Sequence, residues 1–470
     1  MKKTKLLEVV QSLQKWEIWH FSQFLNSPYF NKRTDVIRLW KFLQNENKKV
    51  DAFFRKEDAF QYVYPTEPFE ESKYYLVTSY LFKLVEEFIA IQYVRNKDID
   101  MKLLQMKAYR ERKLETNFKR TFKAFKGKQN KQELRDSNFY RMTFGIESEY
   151  YIYLGSRSRS IENNLEQVSD LFDVYFIAEK LKQYCLQWAH QTVIKKEYGV
   201  GLQTEIMQFV AKHKELLEYP AIGIYYHCYQ AISSGQEFHF EKLMALVKEH
   251  ANKFTSSEIR SIYLLAINYC IRHLNTGDPR YNRKMFELYC DGVENGHLLE
   301  NGELSSFTFN NTALLGIKLK EFDYVESFIE TYHQFLAPKL KKNIYNYTLA
   351  TLRYEQKQYP EAMHLLASFD SNDQLMNLNA RLTLLKIYYE LNEINALESL
   401  LESTRVYLNR KVDLGYHKTS YKNIISIAFK LLGLMSYDKK AKEILEKQIQ
   451  EIKIISMRDW FLEQLEKKTQ

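Results

Sequence analysis

Residues 349–366, LATLRYEQKQYPEAMHLL, hold the end of one amphipathic helix and the start of the next. Tyr359 opens the second helix, and Ala362, Leu365 and Leu366 follow three, six and seven places on, which is one face of a 3.6-residue helix. The same opening recurs on both sides. Phe322 precedes Val325, Phe328 and Ile329, and Ile394 precedes Leu397, Leu400 and Leu401. Further out, Phe240 precedes Leu243, Leu246 and Val247; Tyr281 precedes Met285, Leu288 and Tyr289; Tyr437 precedes Ala441, Ile444 and Leu445. These six openings lie 41, 41, 37, 35 and 43 residues apart. Leu202, Ile161 and Phe118 extend the series upstream with weaker patterns. A helix hairpin cannot bury its apolar faces alone, and stacking hairpins at such a period makes one continuous core.

The repeat resembles the tetratricopeptide superfamily. Leu349 and Ala350 match its large–small pair, Tyr359 and Ala362 its aromatic-x-x-small pair, and Leu366 its next packing position. Arg353 departs from the pattern, standing where an aromatic is usual. Other segments widen the resemblance: FLNSPYFNK (24–32), Tyr64-Pro65, SYLFKLVEEFIA (79–90), NYCIR (268–272), LLENG (298–302), EFD (321–323) and LLKIYYEL (384–391). Together they resemble an uncharacterised family of helical, tetratricopeptide-like proteins common in Bacteroidota, over nearly the whole chain. That resemblance implies a fold and a setting, and no activity or functional residue.

Composition agrees with helices. Gly (14) and Pro (7) make up 21 of 470 residues, against roughly 12% in globular chains, so a turn-dense β fold is excluded. The prolines, at 28, 65, 68, 220, 279, 338 and 360, fall where apolar stripes stop or start. Tyr74, Val77, Leu81, Leu84 and Phe88 mark one stripe of a helix over about 69–95. No convincing period-two run stands out. The expected architecture is all-α: a small helical N-terminal domain over 1–95, then a right-handed α-solenoid of tetratricopeptide-like hairpins over 96–470.

The N-terminus, MKKTKLLEVVQSL, is interrupted by Glu8 and Gln11 and carries no small-residue cleavage site, so no signal peptide is expected. No apolar run approaches a membrane span. Cys185, Cys228, Cys270 and Cys290 are scattered through apolar helical patterns and read as core side chains. A cytoplasmic location is expected, in which the sequons at Asn310 and Asn346 have no use.

No pattern for chemistry emerges. The eleven histidines form no metal-ligand spacing, and His227 and Cys228 diverge by about 100° on a helix. Gly127-Lys128 lacks the rest of a phosphate loop, and no Gly-x-Ser-x-Gly occurs. Neither an enzyme nor a cofactor, metal or small-molecule substrate is expected. Two surfaces stand out instead. Asn268, Asn310, Asn311, Asn346, Asn379 and Asn423 recur in the first helices of the hairpins, where amides can hold an extended peptide. Residues 95–141 hold 15 Lys/Arg and 6 Asp/Glu, which equals the net charge of +9 for the entire chain. There Arg110, Arg112, Lys113, Lys119, Arg120, Lys123, Lys126, Lys128 and Lys131 interleave with Phe118, Phe122 and Phe125, a phenylalanine face expected in the core. The cations fit a solvated helix face, an acidic protein partner or nucleic acid. The functional expectation is a non-enzymatic scaffold or adaptor holding a protein or peptide in a concave groove. The alternative is a nucleic-acid-associated regulator using the 95–141 surface.

Overall fold

The computed structural model describes residues 4–46, 55–96, 98–157, 162–194, 196–367, 369, 374–410, 415–435 and 438–468. Among the described residues the regular structure is 23 α-helices, three short 3-10 turns and one pair of two-residue strands. The chain is all-α. No helix among the described residues is long and apolar enough to cross a membrane. Contacts group it into two compact units, Met1–Ile177 and Ala178–Gln470.

The first unit contains α1 (Lys5–Ser12), α2 (Lys15–Asn26), α3 (Thr34–Glu46), α4 (Lys56–Val63), α5 (Glu71–Arg95), α6 (Asp98–Glu111), α7 (Glu115–Gln129), α8 (Ser137–Gly155) and the start of α9 (Leu165–Ile194). The helix expected over 69–95 is α5, with Tyr74, Val77, Leu81 and Phe88 buried and Leu84 partly so. Its buried stripe shares one core with Phe21 and Leu25 of α2, Val36 and Trp40 of α3, and Phe60 and Val63 of α4. Each such side chain contributes roughly 1.5–3 kcal/mol by leaving water. A separate core joins Met106 of α6, Phe118 and Phe125 of α7, and Ile146 and Tyr153 of α8. Phe122 is half-buried and stacks on Tyr150 with ring centroids 4.1 Å apart.

The second unit runs on through α10 (Gln203–Lys212), α11 (Pro220–Ser234), α12 (Glu237–His250), α13 (Ser256–Asn275), α14 (Arg280–Glu294), α15 (Ser306–Lys318), α16 (Phe322–Tyr332), α17 (Pro338–Glu355), α18 (Tyr359–Ala367), α19 (Gln374–Glu390), α20 (Ile394–Arg410), α21 (Gly415–Gly433), α22 (Lys439–Glu451) and α23 (Arg458–Lys467). Phe322, Tyr359 and Ile394 are the first residues of α16, α18 and α20, so the periodic reading located these helix starts to the residue. Val325, Ala362 and Leu397, three places on, are all buried. Ile444 is exposed, and Leu202 is an exposed residue just before α10. Tyr437 and Ile161 lie outside the described residues.

The turn inside each of these hairpins uses one device. Lys320, Lys357 and Asn392, each two residues before the next helix, have φ of 63°, 61° and 58°. The residue after each donates its N–H back across the helix end: Glu321 to the Gly316 carbonyl (2.9 Å), Gln358 to Arg353 (2.8 Å) and Glu393 to Tyr388 (2.8 Å). The left-handed residues donate to Ile317, Tyr354 and Tyr389. This pair of bonds satisfies carbonyls that a helix end leaves unpaired. Gly277 and Asp278 repeat the arrangement between α13 and α14. Successive first helices also touch: α11 packs on α13, α15 on α17, and α17 on α19.

One strand pair was not foreseen. Leu299–Glu300 and Glu303–Leu304 pair antiparallel around Asn301-Gly302, both with positive φ. Two residues per strand are too few for alternation to register, although Asn-Gly is a hairpin-turn signal.

Candidate interaction surfaces

The asparagines singled out by sequence sit on α13 (Asn268), α15 (Asn310, Asn311), α17 (Asn346), α19 (Asn379) and α21 (Asn423), each the first helix of a hairpin. Several tie hairpins together. Thr348 Oγ1 of α17 donates to Asn310 Oδ1 at 2.9 Å, and the Tyr421 hydroxyl of α21 donates to Asn379 Oδ1 at 2.6 Å. Asn311 Nδ2 donates to the Tyr289 hydroxyl of α14, and Asn423 Nδ2 to the Ile454 carbonyl. Asn268 is exposed and Asn346 half-buried, and neither side chain is hydrogen-bonded among the described residues.

Other groups make the same cross-hairpin ties without having been legible in the sequence. Glu258 of α13 is buried and accepts from the Tyr225 hydroxyl of α11 (2.7 Å) and from Lys182 of α9 (2.9 Å). Burial and the adjacent Glu258 carboxylate push the Tyr225 hydroxyl well up. Glu390 of α19 accepts from the hydroxyls of Tyr354 and Tyr359 and from the Trp460 indole of α23. Burial opposes its ionisation, yet these donors hold its carboxyl below the usual range. Arg353, the departure from the repeat pattern, has a mostly shielded side chain. It lies 2.5 Å from Glu326 of α16 and 3.0 Å from Glu361 of α18. An aromatic there would pack; the guanidinium instead bridges three helices by charge.

His227 and Cys228 diverge around α11, as adjacent helical residues must. His227 Nδ1 meets His239 Nδ1 of α12 at 2.9 Å, while Cys228 lies against Cys185 of α9. Burial, with the nearby His239 and Lys242, pushes His227 down to about 4. Two ring nitrogens at this distance share one proton, so the hairpin holds at most one imidazolium there. Among the described residues no three His, Cys, Asp or Glu side chains gather as a metal site. All four cysteines are free, three buried and Cys290 half-buried.

The basic segment divides in two. Arg110 and Lys126 turn inward, each in an ion pair with a buried glutamate of α8, Glu149 and Glu147 respectively. Asn164 Nδ2 also donates to Glu147, at 2.8 Å. Arg112, Lys113, Lys119, Arg120, Lys123 and Lys131 are exposed and make no ion pair among the described residues. Lys113 is moreover a structural residue. Its φ of 58° and the bonds Lys113 N–H to Arg110 and Leu114 N–H to Tyr109 reproduce the hairpin turn described above. The inward pairs involve glutamates outside the 95–141 window. Two acids on a largely apolar and aromatic stretch, Phe144 to Leu154, were the available signal for them.

Compared with protein-family models, curated proteins and solved structures, the chain matches none.

Proposed function

We propose that the second unit is a tetratricopeptide-like solenoid that serves as a non-enzymatic adaptor, holding a protein or peptide partner along its first helices. The observation that carries this reading is the repeated hairpin. Three consecutive turns share one left-handed residue and one pair of backbone bonds, and first helices touch their successors. Such repetition favours an extended surface over a single deep cavity. The polar residues of that surface support a peptide ligand. Asn268 and Asn346 have unused amides that can donate to and accept from an extended backbone. Asn310 and Asn379 instead tie successive first helices together, accepting from Thr348 of α17 and Tyr421 of α21.

The test is site-directed photo-crosslinking in living cells. A photoreactive amino acid at Asn268, Asn311 or Asn346 should give the same protein adduct. The same probe at Glu241, Glu287 or Glu398, exposed on second helices, should not. No adduct from the first-helix positions, or equal adducts from both sets, contradicts the adaptor reading.

A further inference from the structure

We propose that the outward face of the α6–α7 hairpin is a docking surface for duplex nucleic acid, bound through its phosphates without reading bases. The inference is independent of the groove in the second unit.

Geometry isolates the face. On α7, Phe118, Thr121 and Phe125 are buried, while Lys119, Arg120 and Lys123 lie on the opposite side with Thr116 and Gly127 among them. Arg112 and Lys113 continue the row in the turn before the helix. Lys119 and Lys123 are about 6 Å apart along the axis, close to the step between successive phosphates of a strand.

An ordinary solvated face is differently built. There, opposite charges stand three or four residues apart, as in Glu402–Arg405 of α20, Lys447–Glu451 of α22 and Glu463–Lys467 of α23. On α7 the one acid, Glu115, is paired with Arg157, and beyond it the helix carries no acid. Lys119 and Lys123 are like charges four apart, an arrangement that repels. The carboxylates of the next helix, Glu147 and Glu149, are buried and already taken by Lys126 and Arg110, which leaves exposed Glu111 and Glu115 at the turn against five exposed cations. The unpaired surplus leaves this face complementary to an external polyanion.

The chemistry of the face selects which polyanion. A protein interface needs an apolar or aromatic anchor at its centre; on α7 the residues among Lys119, Arg120 and Lys123 are Thr116 and Gly127, and the exposed leucines, Leu104 and Leu114, lie outside that row, on α6 and at the turn. Single strands are gripped by exposed aromatics on which bases stack. Here Phe118 and Phe125 are buried, and Phe122 is engaged by Tyr150. Cations alone suffice for the phosphates of a duplex, whose charge density is high and whose bases are already stacked.

The experiment is fluorescence anisotropy of the full chain with a labelled 20-base-pair DNA duplex, from 50 to 200 mM salt. Binding should weaken with a log–log slope of about −4, the value for four or five phosphates. Arg112→Glu, Lys119→Glu, Arg120→Glu and Lys123→Glu together should reduce affinity on the order of 100-fold at 50 mM salt. Reversing four exposed lysines elsewhere, Lys339, Lys342, Lys439 and Lys440, should leave most of the binding. A milder pair, Lys119→Gln with Lys123→Gln, perturbs folding least and should flatten the slope by about 2. Absence of binding at 50 mM salt, an unchanged slope in the Gln pair, or equal loss in the distant variant overturns the proposal. So does tighter binding of a single strand, or of polyglutamate, than of the duplex.

Discussion

The α6–α7 and α17–α18 hairpins close in the same way and use their cations differently. In both, a lysine with positive φ, Lys113 or Lys357, caps the first helix, and the next residue bonds back to the carbonyl five places earlier. In α17–α18 the shielded cation, Arg353, bridges Glu326 and Glu361 on the flanking helices. In α6–α7 Arg110 and Lys126 each pair with a buried glutamate of α8, while Arg112, Lys113, Lys119, Arg120 and Lys123 are exposed and make no ion pair among the described residues. The backbone device that makes a hairpin is therefore indifferent to charge. Where the cations point separates a hairpin that binds its neighbours from one with charge to spare.

The contrast can be broken most sharply inside α7. Lys126→Met leaves the buried Glu147 without its cation. It should destabilise the α6–α8 core by about 2–3 kcal/mol, below the full cost of breaking a buried pair because Lys126 is partly exposed. Lys123→Met, three residues away and exposed, should change stability by no more than about 0.5 kcal/mol. Amide exchange in α8 under denaturant reads both, and equal effects would erase the distinction between inward and outward cations.

Next in size is the histidine pair of α11–α12. His227 titrates at about 4 in the fold and near the ordinary imidazole value when unfolded. The unfolded chain then binds more protons between about pH 6.5 and pH 4, so stability falls as pH drops through that window. The loss should be of order 2 kcal/mol and should flatten in His227→Phe, as followed by urea denaturation at pH 7 and pH 5. Arg353→Met comes third, with an expected cost of about 1–2 kcal/mol confined to exchange in α16–α18, because Glu326 and Glu361 stay partly solvated. The smallest effect should be the same in both hairpins. Lys113→Gly and Lys357→Gly each relieve a left-handed backbone and should raise stability by about 0.5–1 kcal/mol. Opposite signs would mean that the two turns are not equivalent.

Local features of this fold were legible and paired ones were not. Phe322, Tyr359 and Ile394 could be read as helix starts because periodicity, a short turn and an aromatic or aliphatic opening all act within a dozen residues. The core role of Phe118 and Phe125 followed from helical phase in the same way. The partners of Asn310 and Asn379, by contrast, are Thr348 and Tyr421, 38 and 42 residues later, and no spacing rule selects them. Likewise helical phase sets Lys126 beside Phe122 and Lys123 opposite the phenylalanine face, but nothing within 95–141 supplies the partner of Lys126, which is Glu147 on the next helix. Arg353 breaks the repeat pattern, and its reason became visible only with Glu326 and Glu361 in place.

The central claim is that the second unit behaves as stacked hairpins coupled chiefly to their neighbours. Gly316 tests it most directly. A Cβ there would press into Val325 of α16 and approach Phe286 Cε2 of α14 at 2.9 Å. Gly316→Val should force α14, α15 and α16 apart and cost about 2–3 kcal/mol. Hydrogen–deuterium exchange across the full chain then decides between two pictures. A hairpin array predicts faster exchange in α14–α17 with α22 and α23 unchanged. Uniform acceleration from α11 to α23 would reveal one cooperative globule and contradict the account.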